Sequence, residues 1–336
     1  MKKLLLFCII STVSSSLAAN LELKASPSTV VWGYYSASAK PVLRIRSGDT
    51  VRIETVSTGS PSRFEAAGVP TSQIPEAFRT IYNEVKDRGP GGHILTGPIF
   101  IEEGEPGDVL EIRIRKIEVD YPFAYNGFGA TSGFLPQDFP YAKTKIIPLD
   151  RVRNIAHFGD GIDIPMHPFF GSMGVAPPEA SGRISSAPPG IHAGNLDNKD
   201  LIEGTTLYIP IHAKGALFEV GDGHAGQGNG EVDVTAMETG LTGTFQFIVR
   251  KDMHLTWPRG ETPTHYIAMG INEDLTEATK LAVREAIDFL VTEKHLSRDD
   301  AYMLASVAVD FNITQLVDGT KGVHAMIPKS IFVEKK

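Results

Sequence analysis

The sequence predicts a mainly β protein: a β-sandwich or distorted barrel with long functional loops, followed by a smaller C-terminal α+β portion. Three observations predict it. Turn-then-alternation segments recur along the chain, glycine (33) and proline (22) are both abundant, and helical periodicity is confined to the last quarter of the 336 residues.

The recurring segments are Ser47–Glu54, Pro106–Arg113 and Glu203–Pro210. Each opens on a turn with a glycine, where positive φ is tolerated, and continues with apolar and polar residues in alternation. A period of two marks a strand with one face on a core. Val42–Arg46 and Thr244–Val249 follow the same pattern. The spacing between these segments is too irregular for a solenoid.

Between the second and third segments lies a Gly/Pro-rich stretch from Tyr121 to Asn195. A connection of this length inside a compact protein is usually functional or disordered. The interleaved aromatics, among them Tyr121, Phe123, Tyr125, Phe128 and Phe134, favour ordered loops that pack or line a cleft. Farther on, Ala278, Leu281, Ala282, Ala286, Phe289 and Leu290 recur at helical spacing over Leu275–Thr292. Ser297-Arg298-Asp299-Asp300 then gives a helix-start signal leading into Ala301–Val309. These two helices are expected to pack rather than to carry chemistry.

The first residues form a basic start (Met1-Lys2-Lys3), an apolar run (Leu4–Ile10) and small residues ending at Ala18-Ala19. That is the layout of a secretory signal peptide over residues 1–19, cleaved after Ala18 or Ala19. The apolar run is far below the roughly 20 residues that span a bilayer, so no stable membrane association is expected after cleavage. The expected location is secreted or periplasmic. Cys8, the only cysteine, lies inside the leader, so the mature chain would hold neither thiol nor disulfide. A net charge of −8 with no basic tract argues against nucleic acid or anionic lipid as a partner.

Chemistry-bearing residues concentrate from Val220 to Glu238. In Asp222-Gly223-His224 the two side chains share a face if the backbone is extended. Glu231 follows across a loop containing Gly226, Gly228 and Gly230, which lets carboxylate and imidazole converge. Asp, His and Glu together suit a divalent cation, zinc above all, and equally suit acid–base chemistry without metal. The structural alternative is a glycine-rich hairpin whose acids cap backbone amides. Two further polar clusters stand at Gly190–Asp200, with His192, Asn195 and Asp197, and at Gly92–Ile99, with His93.

The ordered series Thr96-Gly97-Pro98-Ile99, Glu105-Pro106-Gly107-Asp108, Gly194-Asn195-Leu196-Asp197 and Gly215–His224 resembles the acetamidase/formamidase family. Gln227–Glu231, Asp300-Ala301-Tyr302 and Lys321-Gly322-Val323 continue the resemblance over nearly the whole mature chain. It implies a β-rich fold with jelly-roll character, hydrolysis of short amides to carboxylate and ammonia, and a homo-oligomer. It places the polar pocket at Asn195, Asp197, Asp222, His224, Gln227 and Glu231. Two departures stand out: Asn229 occupies a position where the family usually has Asp, and Val232–Ala236 replaces a more typical Cys/Gly-containing segment.

On this reading residues 20–255 form the β-rich catalytic body and 256–336 the C-terminal α+β portion. Asp222 and His224, with Asp197 or His192, are expected to hold a divalent metal. Glu231 is expected to move the proton, while Asn195 and Gln227 orient a small amide substrate. No Gly-x-Ser-x-Gly elbow is present, and Ser172, on a glycine-flanked turn, is the serine alternative. Two competing expectations remain: an exported enzyme for a larger or cyclic amide, and an exported ligand-binding protein without catalysis.

Overall fold

The computed structural model describes residues 18–333, so the expected leader falls outside the described residues except for its last two. Two large sheets dominate. Strands make up 40% and helices 17% of the chain, in line with the mainly β expectation.

The nine-stranded sheet runs in the order Asn20–Leu23, Thr50–Glu54, Leu241–Arg250, Val109–Val119, Thr206–Pro210, Arg259–Glu261, His265–Asn272, Thr320–Pro328, Asp310–Asp318. All three turn-then-alternation segments therefore sit in one sheet. Their turn glycines, Gly48, Gly107 and Gly204, adopt φ of 100°, 96° and 86°, the region that favours glycine. The C-terminal strands continue this same sheet through pairing of Arg259–Glu261 with Thr206–Tyr208.

The eleven-stranded sheet holds Ile94–Ile101, Phe123–Phe128, Lys143–Asp150, Phe169–Gly174, Ala193–Asn195, Phe218–His224 and Glu238–Thr239 among its members. The main core fills the space between the two sheets. Phe245 and Phe247 from the first meet Phe170 and Phe218 from the second, with ring centroids 5.1–6.2 Å apart. Each such ring, fully buried, contributes roughly 1.5–3 kcal/mol relative to exposure.

The stretch expected to be loops, Tyr121–Asn195, is threaded with seven short strands, which corrects that expectation. In two of them, Phe169–Gly174 and Ala193–Asn195, alternation is lost because every position is buried. Phe169–Gly174, for example, is buried at all six positions, so no polar face marks it as a strand. Helix also appears earlier than expected, at Pro61–Ala66 and Glu76–Glu84. Ser60 caps the first through Arg63 N, with Pro61 in its first turn, a start signal visible in the sequence.

The two late helices are present at Leu275–Lys294 and Arg298–Ala308, and Ser297 caps the second by accepting from Asp300 N. The first lies on the strands His265–Asn272 and Thr320–Pro328. Its seam is Ala278, Ala282 and Ala286, and Gly270 on the sheet opposes it so closely that a Cβ there would stand 2.1 Å from Ala278 O. Small residues on both sides are what bring helix and sheet together.

Candidate active site

The strand Phe218–His224 is buried at every position and runs through the middle of the eleven-stranded sheet. Asp222 is not extended: its φ is 56°, so the same-face argument from spacing does not apply as stated. The backbone turn nevertheless brings the pair together, with Asp222 Oδ2 3.3 Å from His224 Nε2. Glu238, on the neighbouring strand Glu238–Thr239 and in register with His224, places Oε1 3.2 Å from the same nitrogen.

Asp197 and Glu231 close the other side. Both sit at positive φ, 49° and 43°, on irregular backbone that aims them inward. Asp197, His224 and Glu231 offer ligand atoms within 4.8 Å of one another, as do Asp222, His224 and Glu238, all of them buried. Gly171 forms the floor: a Cβ there would stand 2.4 Å from Asp222 Oδ2, 2.5 Å from Asp197 Oδ1 and 2.8 Å from His224 Cε1. Those three side chains therefore point at one place, kept open by the missing methyl.

The C-terminal hairpin completes the cluster. Asn195 Nδ2 donates to Asp197 Oδ2 at 2.7 Å and lies 3.2 Å from Asp318 Oδ2. Asp318 ends the strand Asp310–Asp318, and buried Gln315 shapes its turn by accepting from Val317 N and Asp318 N. The same strand grips the Glu231 loop through Gly230 N to Thr314 O and Leu316 N to Gly230 O.

His93 approaches from the start of the strand Ile94–Ile101. Its Nδ1 lies 3.1 Å from the carbonyl of Ser186, and Nε2 lies 3.8 Å from Asp222 Oδ2. With Nδ1 donating to that carbonyl, Nε2 is left to face the site. The remaining rim is Thr58, Tyr125 and Arg63. Thr58 Oγ1 donates to Glu238 Oε2 at 2.9 Å and lies 3.0 Å from Tyr125 Oη. With His93, Asn195, Asp222, Glu231, Glu238 and Asp318 they line a cavity of about 220 Å³.

Electrostatically the cluster is crowded with acid. Burial, with Glu231 and Asp318 beside it, pushes the Asp197 carboxyl well above the usual range. Burial and Asp318 do the same to Glu231. Asp318 is pushed up to about 6, again mainly by burial. Burial opposes the charged form of Asp222, but His93 and His224 overcome it and hold that carboxyl low. Burial likewise opposes a charged His224, yet Glu238 and Asp222 hold its imidazole well above its ordinary value.

The residues present fit a divalent cation. His224 Nε2 lies close to two carboxylate oxygens but is aligned with neither as a hydrogen bond. Ligand atoms about 2.1 Å from a tetrahedral ion stand about 3.4 Å apart, close to these separations. Asp197 Oδ1, Asn195 Oδ1 and both His224 nitrogens are buried without a protein partner. Such orphaned atoms in a nest of carboxylates mark where positive charge belongs.

Of the expected residues, Asp197, Asp222, His224, Glu231 and Asn195 meet in this cluster. Gln227 stands at its edge, with Nε2 donating to Asp197 O at 2.9 Å and Oε1 buried without a partner. His192 is a correction. Its ring lies edge-on to Tyr35 at 5.0 Å, joins neither ligand group, and is held neutral by burial, which lowers its pKa to about 4. The positive φ of Ala193 and Gly194 breaks any common face between His192 and Asn195. Ser172 is fully buried, its Oγ closed against Tyr35 Oη at 2.8 Å. Asn229 is exposed on the outer rim rather than in the carboxylate cluster.

Sequence reasoning missed Asp318 and gave no role to Glu238. Glu238 closed the polar stretch that drew attention, so proximity was available as a signal. Asp318 lies 123 residues from its partner Asn195, and only the Asp-Gly turn before Thr320 marked it locally.

Among proteins of known kind, the sequence profile of the acetamidase/formamidase family matches residues 39–183 and 180–334. A formamidase from Methylophilus methylotrophus is 28% identical over 191 residues, 42% of this chain and 47% of that protein, so the aligned part spans about half of that relative. The solved acetamidase from Bacillus halodurans is 29% identical with a TM-score of 0.78, covering 93% of this chain and 98% of that one. The solved acetamidase from Yersinia enterocolitica is 27% identical with a TM-score of 0.80, covering 96% of each. With the profile spanning nearly every described residue, the chain belongs to the acetamidase/formamidase family.

Proposed function

We propose that this chain hydrolyses the C–N bond of short linear amides, releasing carboxylate and ammonia. One observation carries the reading: Asp197, Asp222 and His224 all crowd the place a Cβ on Gly171 would take, in a chain of this family. In the proposed arrangement Asp197, Asp222 and His224 hold a divalent cation, zinc above others. Such an ion supplies Lewis acidity, polarising a carbonyl oxygen and making water a stronger acid near neutral pH.

The rest of the chemistry falls to side chains. Glu231 lines both the inner cavity and the cleft outside it, so it can reach water and leaving group alike. It takes a proton from the attacking water and passes it to the amide nitrogen. A C–O bond forms as the C–N bond breaks, and the nitrogen departs protonated. Gln227 Oε1 accepts from the amide N–H. Asn195 acts as a positioning residue, tying Asp197 to Asp318.

The test pairs elemental analysis of purified protein with ammonia release from formamide and acetamide, before and after exhaustive chelation. Bound divalent metal, turnover, and loss of turnover on chelation are expected. Turnover that survives chelation and vanishes in Ser172→Ala would overturn the metal arrangement.

We also propose export, with cleavage after Ala18, and assembly into a homo-oligomer. Supporting the cleavage point, Ala19 N stands 2.7 Å from Asp49 Oδ1, so the freed ammonium would meet a carboxylate. N-terminal sequencing of protein recovered outside the cytoplasm should begin at Ala19; a start at Met1 removes this part. Light scattering during gel filtration tests the assembly, and a single-chain mass would remove it.

A further inference from the structure

We infer that, beyond the smallest amides, this site takes amides with an extended apolar substituent, an alkyl chain or ring seated in the cleft outside Glu231. The inference rests on the amide-hydrolysis reading and names its substrate class. Two cavities meet at Glu231 and Thr235, which line both: the inner polar one of about 220 Å³ and an outer cleft of about 800 Å³. An amide of four heavy atoms occupies on the order of 100 Å³, taking about 30 Å³ for a water-sized group. The inner cavity alone therefore houses acetamide and its attacking water, and the outer cleft would stand idle.

The outer cleft is built for something larger. One wall is apolar: Phe158, Ile164 and Pro165 from the hairpin Ile155–Gly159/Ile162–Pro165, backed by Ile147 and Met237. Phe158, Ile164, Ile147 and Met237 belong to a small core of their own, with Ala124, Leu149, Ala156 and Met166 behind them. Phe158 and Ile164 stay half-buried because the cleft lies on their other side. Water against this wall is unfavourable, and an apolar group that displaces it gains binding. The opposite side is polar, with Gln227 and Asp200. A cavity of this size, with one continuous apolar wall facing a polar one, suits a ligand well beyond two carbons. Glu231 at the junction fixes the polarity of binding: amide head inward, substituent outward.

The experiment compares acetamide, butyramide, hexanamide and phenylacetamide as substrates of the intact metal-loaded protein, by ammonia release. A second readout is calorimetric binding of hexanamide to wild type and to Phe158→Ala and Ile164→Ser. Expected is a rise in kcat/KM of roughly threefold to fourfold per added methylene. In either variant the hexanamide-to-acetamide ratio of kcat/KM falls at least tenfold, and hexanamide binding weakens in step. A flat series with good acetamide turnover overturns this inference and leaves the amidase reading standing. Tight hexanamide binding lost in Phe158→Ala, without ammonia from any amide, supports the apolar cleft and overturns the amidase reading. Equal binding of hexanamide by wild type and both variants overturns the cleft assignment whatever the turnover.

Discussion

Gly171→Ala is the sharpest test of the site. The added methyl would sit 2.4 Å from Asp222 Oδ2, 2.5 Å from Asp197 Oδ1 and 2.8 Å from His224 Cε1. To reach ordinary contact at about 3.4 Å these groups must retreat by about 1.0, 0.9 and 0.6 Å. All three are ends of side chains, so the fold can yield there while the site cannot. Overpacking of this kind costs about 1–3 kcal/mol of stability. Coordination tolerates only about 0.2 Å of ligand displacement, and a 1 Å misplacement costs about 100-fold in rate. The expected variant is folded by circular dichroism, poor in metal by mass spectrometry, and at least 100-fold slower in ammonia release. Gly159→Ala, where a Cβ meets only Lys145 Nζ at 4.0 Å, is the control and should match wild type. A Gly171→Ala protein with full metal content and kcat/KM within about threefold of wild type would refute the convergence argument.

Three other outcomes follow from single residues. Asp318→Asn should slow ammonia release by about 10-fold to 100-fold, through the loosened Asn195 bridge, without lowering the melting temperature, because it removes a buried carboxylate. Gly270→Ala should cost about 3 kcal/mol in a denaturant melt, since its Cβ would meet helix backbone at Ala278 O (2.1 Å) and Ala282 N (2.3 Å). Asp120 is pushed up to about 6, chiefly by burial, from 3.8. The native state then holds a proton the unfolded chain has released, so this group's contribution declines as pH rises from about 4 to 6. Asp120→Asn keeps an acceptor for Thr242 Oγ1 and should melt higher than wild type at pH 8 but not at pH 4.

How far the sequence spoke depended on whether a strand kept one face in water. Thr50–Glu54 and Thr206–Pro210 alternate because one side is partly exposed, and both were readable. Phe169–Gly174 and Phe218–His224 are buried throughout, and composition rather than period revealed the second. It reads as a polar loop because its acids and histidine have no obvious reason to lie in a core. Asp222 and His224 lie there because they face each other, and a buried acid without a partner would be far more costly than one facing His224.

The same logic explains which site residues were found. Asp222, His224 and Glu231 fall within ten positions, and a glycine-rich loop is a local cue that they can meet. Asp197 stood out locally only as a member of the polar cluster Gly190–Asp200, and the ordered family resemblance placed it in the pocket. Asp318 has no local cue that distinguishes it from any hairpin turn, since what ties it to the cluster is a hydrogen bond from a residue 123 positions away. His192 failed for the opposite reason: adjacency to Asn195 implied a shared site, but two successive residues at positive φ turned it toward Tyr35 instead. Local spacing carries information only while the backbone between two residues stays regular. In this fold the irregular backbone at Ala193, Gly194, Asp197, Asp222 and Glu231 is what gathers carboxylates from distant strands, so the sequence loses legibility where the site is built.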